Sequence, residues 1–320
     1  MAPSSSLLSI FLTAILPIVA IAAVGYLLGS VRDIDVDPLN TVTIYVLVPA
    51  LIFHSLVTTT LGGEILLEVA AGVVIFLLAM AVLAEGVGRL LGESEPTKSA
   101  LVLASTFPNS GNFGIPLSEF AFGEVGRATA VLFLVPQSVV IYTLGVYVAS
   151  RGSGERGLGA ATAVLKLPLV YAVGLALIVR SLGVVPPPQS TAMATLKLVG
   201  DSSIPLMLIL VGIELAGANH GAALSGVAKA NVLKLVAAPV VGLGVVLAIG
   251  FENATVARVF VLECATPAAI TSLILMIEFG GDSGDVTGPE YISTAVLTTT
   301  LASVPVLTVL IAILESGIVI

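Results

Sequence analysis

Phe107-Pro108-Asn109-Ser110-Gly111-Asn112-Phe113-Gly114-Ile115-Pro116 is a helix-breaking stretch inside what its flanks mark as one membrane crossing. It holds two prolines, two glycines and two asparagines. Hydrocarbon offers no water to satisfy a broken backbone. Such a break persists only where protein or a polar cavity surrounds it. The stretch is therefore a candidate binding site within the membrane.

Composition sets the class around it. The hydrophobic fraction is 57% and the charged fraction 10%, with a mean hydropathy of +1.14. A soluble domain usually has about a quarter charged residues. The chain reads as an all-α polytopic membrane protein. A hydrocarbon core of roughly 30 Å needs about 20 apolar residues per helix. Ten segments meet this: 6–29, 38–58, 64–90, 97–122, 125–149, 159–181, 190–215, 225–250, 254–279 and 288–314. Residues 1–29 read as the first segment, not a signal peptide. No basic region precedes them, and an apolar run of about 23 residues exceeds a signal peptide's 7–15.

Basic residues set the orientation. Arg32, Arg89, Lys98, Arg151, Arg156, Lys166, Lys229 and Lys234 fall after segments 1, 3, 5 and 7, against Arg127, Arg180, Lys197 and Arg258 on the other side. The first set is expected in the cytoplasm. That makes a multi-pass protein of the cell membrane with both termini extracellular. The net charge of −8 comes largely from Asp33, Asp35, Asp37, Glu93, Glu95, Asp282, Asp285 and Glu290, read as solvated loop ends. This acidic surface suits high salt and argues against nucleic acid as a partner. Cys264 is the single cysteine, so no internal disulfide forms. Two histidines and one cysteine without ligand spacing give no metal site, and no cofactor is implied.

The chain repeats itself. Leu16-Pro17-Ile18-Val19 is echoed by Leu167-Pro168-Leu169-Val170, and Val48-Pro49-Ala50-Leu51-Ile52 by Ile204-Pro205-Leu206-Met207-Leu208. Pro108 pairs with Pro267, and Pro136 with Pro305. The offsets are 151, 156, 159 and 169, a drift that loop insertions would produce. Each repeat has five segments, so the second copy enters from the opposite side. Two inverted five-helix repeats with matching broken helices are the architecture of many secondary transporters.

Segments 4 and 9 are expected to cross as broken halves. The second halves should start near Asn112–Gly114 and near Ala268–Ile270. Each start frees backbone N–H groups and carries about +0.5 charge. Two such ends facing one cavity hold an anion without a buried Arg or Lys. Pro108, Asn109, Ser110, Gly111, Asn112, Gly114, Thr266, Pro267, Ala268 and Thr271 line the expected substrate site, with Ser272 near it and Gln137 reaching it from segment 5. Gly111 and Gly114 let backbone approach a ligand. The plainer alternative is that these groups only re-satisfy backbone freed at two kinks.

The chain resembles the auxin efflux carrier family, which includes the plant PIN exporters and prokaryotic malate permease-like carriers. The resemblance rests on Val48-Pro49-Ala50-Leu51-Ile52-Phe53-His54, the Pro108–Pro116 segment, Gly200-Asp201-Ser202-Ser203-Ile204-Pro205-Leu206, and Ser293-Thr294-Ala295-Val296 with Pro305. It spans nearly the whole chain. It implies a fold shared with the bile acid:sodium symporters. Segments 1–2 and 6–7 (residues 1–62 and 159–222) would form a scaffold; segments 3–5 and 8–10 (63–150 and 223–320) would form a mobile core. It also implies elevator-type alternating access, a homodimer, and small organic anions such as carboxylates or auxin-like acids as substrates. Two features depart from the family. Thr271 stands where members often have Asn, and Glu64 with Glu68 replaces an acid–Lys pair of the plant exporters.

Ionisable residues within the membrane are functional candidates by default. Glu263 lies one turn before Pro267, so it should face the cavity or carry a proton. It is the expected proton- or sodium-coupling residue, with a protonated, backbone-bonded Glu as the alternative. Asp201 is a second coupling candidate, with a salt bridge to Lys197 one turn away as its plainer reading. Glu85, Glu119, Glu214 and Glu278 are read as interfacial, and His54 as packed and neutral. No His-Glu-x-x-His or Gly-x-Ser-x-Gly occurs, and Gly281-Asp282 and Gly284-Asp285 fall in a polar loop, so an enzyme is not expected. A ligand sensor or channel using the same site is the alternative to a carrier.

Overall fold

The computed structural model describes residues 6–152, 167–217, 224–280 and 287–320. Arg156, Lys166, Gly281, Asp282, Gly284, Asp285 and the first part of the segment expected over 159–181 lie outside the described residues. Among the described residues the chain is helical and forms no strand. The helices are α1 Leu7–Val31, α2 Asp37–Thr58, α3 Gly63–Leu90, α4 Glu95–Thr106, α5 Ser110–Ala149, α6 Pro168–Ser181, α7 Thr191–Gly217, α8 Gly226–Ile249, α9 Ala254–Cys264, α10 Ile270–Phe279 and α11 Gly288–Glu315. Seven of them are long and apolar enough to cross a membrane: α1, α2, α3, α5, α7, α8 and α11. Shorter apolar helices are α6 and α10.

Proline shapes these helices locally. A proline lacks the N–H of the helical ladder, and its ring pushes away the carbonyl four residues back. The chain absorbs this with one wide turn carrying an extra residue. Such turns span Phe11–Ile15, Thr43–Leu47, Ser110–Gly114 and Leu233–Ala237. Each ends two residues before a proline: Pro17, Pro49, Pro116 or Pro239. At the third, Asn109 O accepts from both Phe113 N–H (3.3 Å) and Gly114 N–H (2.9 Å). That turn begins α5 at Ser110, earlier than the expected Asn112–Gly114. The start expected near Ala268–Ile270 falls at Ile270.

The segments expected over 97–122 and 254–279 are each split by a break, into α4 with the first part of α5 and into α9 with α10. Helix α5 then runs on through 125–149, kinked at Gly123, where φ is +63° and ψ −148°. Only glycine adopts that conformation without strain.

Packing outside the breaks relies on small residues. Helix α1 crosses the second half of α7 with backbone on backbone. A Cβ added at Gly25 would lie 2.1 Å from Ile209 O, and one at Gly212 would lie 2.0 Å from Ala22 O. Small residues at such crossings are the usual route to close helix packing in lipid. Behind the breaks, Phe76 of α3, Phe133 of α5 and Phe260 of α9 cluster with ring centroids 5.3 to 6.5 Å apart. The outer surface is apolar instead: Leu27, Leu67, Val82 and Leu198 are all largely exposed. A surface of that kind fits lipid, not water.

Several cations counted with the loops lie in helices, and two of them are closely covered. Lys234 sits in α8 and is wholly buried, and Arg127 sits in α5 and is 4% exposed. Lys234 does not report on a loop, whereas Arg127 lies four residues past the non-helical Gly123 and keeps its place beside the turn, so the charge bias for orientation loses one member. A linear reading could not see this, because hydropathy does not say which helix face is covered.

Candidate functional site

Helices α4 and α9 both stop near a proline, and the two breaks meet. Pro108 and Ala268 pair as antiparallel extended backbone. Asn109 N–H donates to Pro267 O at 2.8 Å, and Ala269 N–H donates to Phe107 O at 2.9 Å. Each break thus satisfies part of the other.

Side chains close the rest of the joint. Gln137 donates its Nε2–H to Pro108 O (2.7 Å) and accepts from the Ser110 hydroxyl (2.8 Å). Ala268 N–H donates to Thr299 Oγ1 of α11 at 3.1 Å. The Thr266 hydroxyl donates to Glu263 O at 2.8 Å, and the Ser272 hydroxyl donates to Leu103 O of α4 at 3.2 Å. Gln137 and Thr266 thus re-satisfy broken backbone, and the Ser110 hydroxyl holds Gln137 in place to do so. Thr299 was not foreseen, because nothing in a Thr-rich helix marks which hydroxyl faces a break.

The groups left open are different ones. The N–H groups of Ser110, Gly111 and Asn112 at the start of α5, and of Ile270 and Thr271 at the start of α10, have no acceptor among the described residues. Asn112 and Thr271 are partly exposed, and their side chains have no partner among the described residues. The carbonyl ends are more closed. The last four carbonyls of α9 are all taken: Val261 and Leu262 by Ala265 N–H, Glu263 by Thr266 N–H, and Cys264 by the Lys234 ammonium. On α4, Leu103 O is taken, while the carbonyls of Ala104, Ser105 and Thr106 stay open. The open donors cluster at the α5 and α10 starts, while among the described residues open carbonyls remain on α4 and at Ala265, Thr266 and Ala268 beside the α9 break.

Glu263 is wholly buried one turn from the α9 break. Its Oε1 accepts from the Ser118 hydroxyl at 2.6 Å. Its Oε2 has no hydrogen-bond partner among the described residues and lies so close on Gly114 that a Cβ there would sit 2.1 Å away. The Ser110 hydroxyl is within reach of this carboxyl but donates to Gln137. Glu263 and the α5 start are thus in direct contact. A bare Cα at Gly114 makes this possible.

Asp201 is placed elsewhere. Lys197 Nζ lies 2.5 Å from Asp201 Oδ2, so the expected salt bridge is present. Arg127 Nη1 adds a second contact to Asp201 Oδ1 at 2.8 Å and reaches Glu119 at 3.4 Å. None of these partners belongs to the break. Glu85, read as interfacial, is held by Arg89 (2.9 Å) and Arg151 (2.6 Å), tying α3 to the end of α5. Glu214 lies three residues from the described end of α7, consistent with that reading. It lines a cavity of about 260 Å³ beside the α10 start, together with Val211, Ile213, Ile270, Leu273 and Thr300.

Comparison with known proteins agrees with a membrane role for this geometry. A family model described as membrane transport protein matches residues 10–158 and 160–311. An uncharacterized transporter of Methanothermobacter thermautotrophicus is 27% identical over 280 residues, covering 82% of this chain and 87% of that protein. A second uncharacterized transporter, from Methanocaldococcus jannaschii, is 24% identical over 271 residues, covering 82% and 87%. The family match extends over both halves and both breaks, and the chain belongs to the membrane transport protein family of PIN-like auxin efflux carriers.

Proposed function

We propose that this transporter is a secondary-active carrier of small organic anions. The observation that carries the reading is the pair of open helix starts at the joined breaks. Five N–H groups at the α5 and α10 starts are open, and the α9 carbonyl end is closed. Open amides at helix starts favour a negatively charged ligand. Asn112 and Thr271 are free to orient a carboxylate, and Asn109 lies beside them. The cavity beside Ile270 adds an apolar wall. A small acid with an apolar body suits both features.

The wider reading is ten transmembrane helices in two inverted five-helix repeats, with α4–α5 and α9–α10 as the crossing broken pair. Residues 63–150 and 223–320 form the moving core, and 1–62 and 159–222 the scaffold. Alternating access is of the elevator kind, in a homodimer, in the cell membrane, with both termini outside. The tight α1–α7 crossing supports a rigid scaffold, and the Phe76–Phe133–Phe260 cluster supports a core that moves as one body. Glu263 is the proton- or sodium-coupling residue. Asp201, held by two cations, is better suited to bridging α7 and α5 than to binding a coupling ion.

Uptake of radiolabelled malate and indole-acetate into proteoliposomes tests the reading. Saturable, gradient-driven accumulation of either anion is expected. Binding without flux would replace the carrier with a sensor. Asn112→Ala is expected to raise the half-saturation concentration about fivefold or more, as loss of a hydrogen bond to a charged group would. Unchanged half-saturation in that variant would remove Asn112 from the site.

A further inference from the structure

Lys234 is a buried ammonium that the proposed transport cycle does not yet use. It is fully covered in α8. Its Nζ donates to Cys264 O at 2.9 Å and lies 5.9 Å from the centroid of the Phe76 ring. The wide turn at Leu233–Ala237 gives α8 an extra residue here. Helix α8 is also pressed onto the end of α9, because Gly242 has no Cβ to strike the Cys264 side chain; an added one would lie 2.8 Å from Sγ. The ammonium is therefore fixed where α9 ends, next in sequence to Glu263.

Burying a lysine without a carboxylate contact is expensive. Lys234 forms no ion pair among those of the described residues. Two negative features lie on its side: the carbonyl end of α9, which carries about −0.5 charge, and the carboxyl of Glu263, the residue next to Cys264, whose carbonyl it bonds.

We propose that Lys234 is the fixed counter-charge of the α9 half of the break: it offsets the α9 carbonyl end and the Glu263 carboxylate together, which favours a negative ligand at the open amides. This rests on the anion reading for its consequence, but the charge balance itself does not. Lys234 touches neither break opening and acts through α9 and Glu263, as a positioning residue. With the ammonium removed, a carboxylate beside Gly114 would face the same amides that are to receive the substrate.

The test is a double-mutant cycle of Lys234→Met and Glu263→Gln in the purified full-length protein. Thermal unfolding in detergent is read first. Lys234→Met alone is expected to lower the midpoint by about 5 °C or more, since breaking a buried charge balance leaves one charge uncompensated. Adding Glu263→Gln is expected to recover most of that loss. Simple addition of the two losses would overturn the proposal, because a lysine serving only as packing has no reason to be rescued by a distant amide. Should Lys234→Met yield no folded protein, recovery of monodisperse protein in the double variant supports the counter-charge, and continued failure overturns it. Flux is read second. In Lys234→Met the half-saturation for malate or indole-acetate should rise about tenfold, with the maximal rate changed far less, and the double variant should regain affinity. If wild-type protein carries neither anion, the anion reading fails while the thermal cycle still decides the charge balance.

Discussion

Gly212→Ala should destabilise the protein by about 3 kcal/mol, as overpacking at a rigid contact does. The added methyl would lie 2.0 Å from Ala22 O and close to Tyr26 N, both backbone atoms of α1. A side chain can turn aside, but backbone cannot move without carrying its helix. The crossing of α1 and α7 must then open along its length, and the close packing there is lost as a whole. Thermal unfolding in detergent should show a drop of about 10 °C. Gly25→Ala meets Ile209 O at the same crossing and should behave alike. The two losses should not add, because once the helices have parted the second methyl has nothing left to strike. Gly244→Ala is the comparison: a Cβ there meets nothing within 4 Å, and its midpoint should hold steady. An unchanged midpoint in Gly212→Ala would mean that α1 and α7 do not cross backbone on backbone.

The second large effect concerns coupling. Glu263→Gln should abolish accumulation driven by a cation gradient while leaving substrate exchange between the two sides. With a proton gradient of two pH units, one coupled proton supports up to about 100-fold accumulation, since each unit is a factor of ten. The variant should show none. Gly114→Ala should do the same without touching the carboxyl chemically. Its methyl would lie 2.1 Å from Glu263 Oε2, so the side chain must leave its place against the α5 start. Counterflow and gradient-driven uptake, measured on the same vesicles, separate the two functions. Gradient-driven uptake that persists in both variants would move the coupling group away from Glu263.

Much of the fold was legible because lipid enforces simple rules. Long apolar runs must be helices, and matched prolines mark matched breaks, so the split of 97–122 and 254–279 followed from Pro108 and Pro267 alone. Lys197 and Asp201 were paired correctly, because four residues is one helical turn. Arg127 was missed as their partner because it lies 74 positions from Asp201, beyond any local pattern. The roles of Ser110, Gln137 and Thr266 could not be separated from ligand binding in advance. Either use needs the same polar groups, and only geometry shows that Gln137 and Thr266 bond backbone while Ser110 bonds Gln137. Lys234 was hidden for a related reason: one lysine in an apolar helix looks like a residue at its edge.

The backbone pairing at Pro108 and Ala268 also bears on how the protein is made. It joins atoms that leave the ribosome about 160 residues apart. Until Pro267 and Ala269 arrive, Phe107 O and Asn109 N–H lack their eventual partners and sit in a break where neither flanking helix supplies others. An unsatisfied backbone group in hydrocarbon costs several kcal/mol. The N-terminal half therefore cannot settle fully in the bilayer during its own synthesis. It must wait, sheltered from lipid at the insertion machinery or hydrated at the interface, until the C-terminal half completes it. A chain cut between the halves should be recognised as unfinished by the cell, whatever its hydropathy.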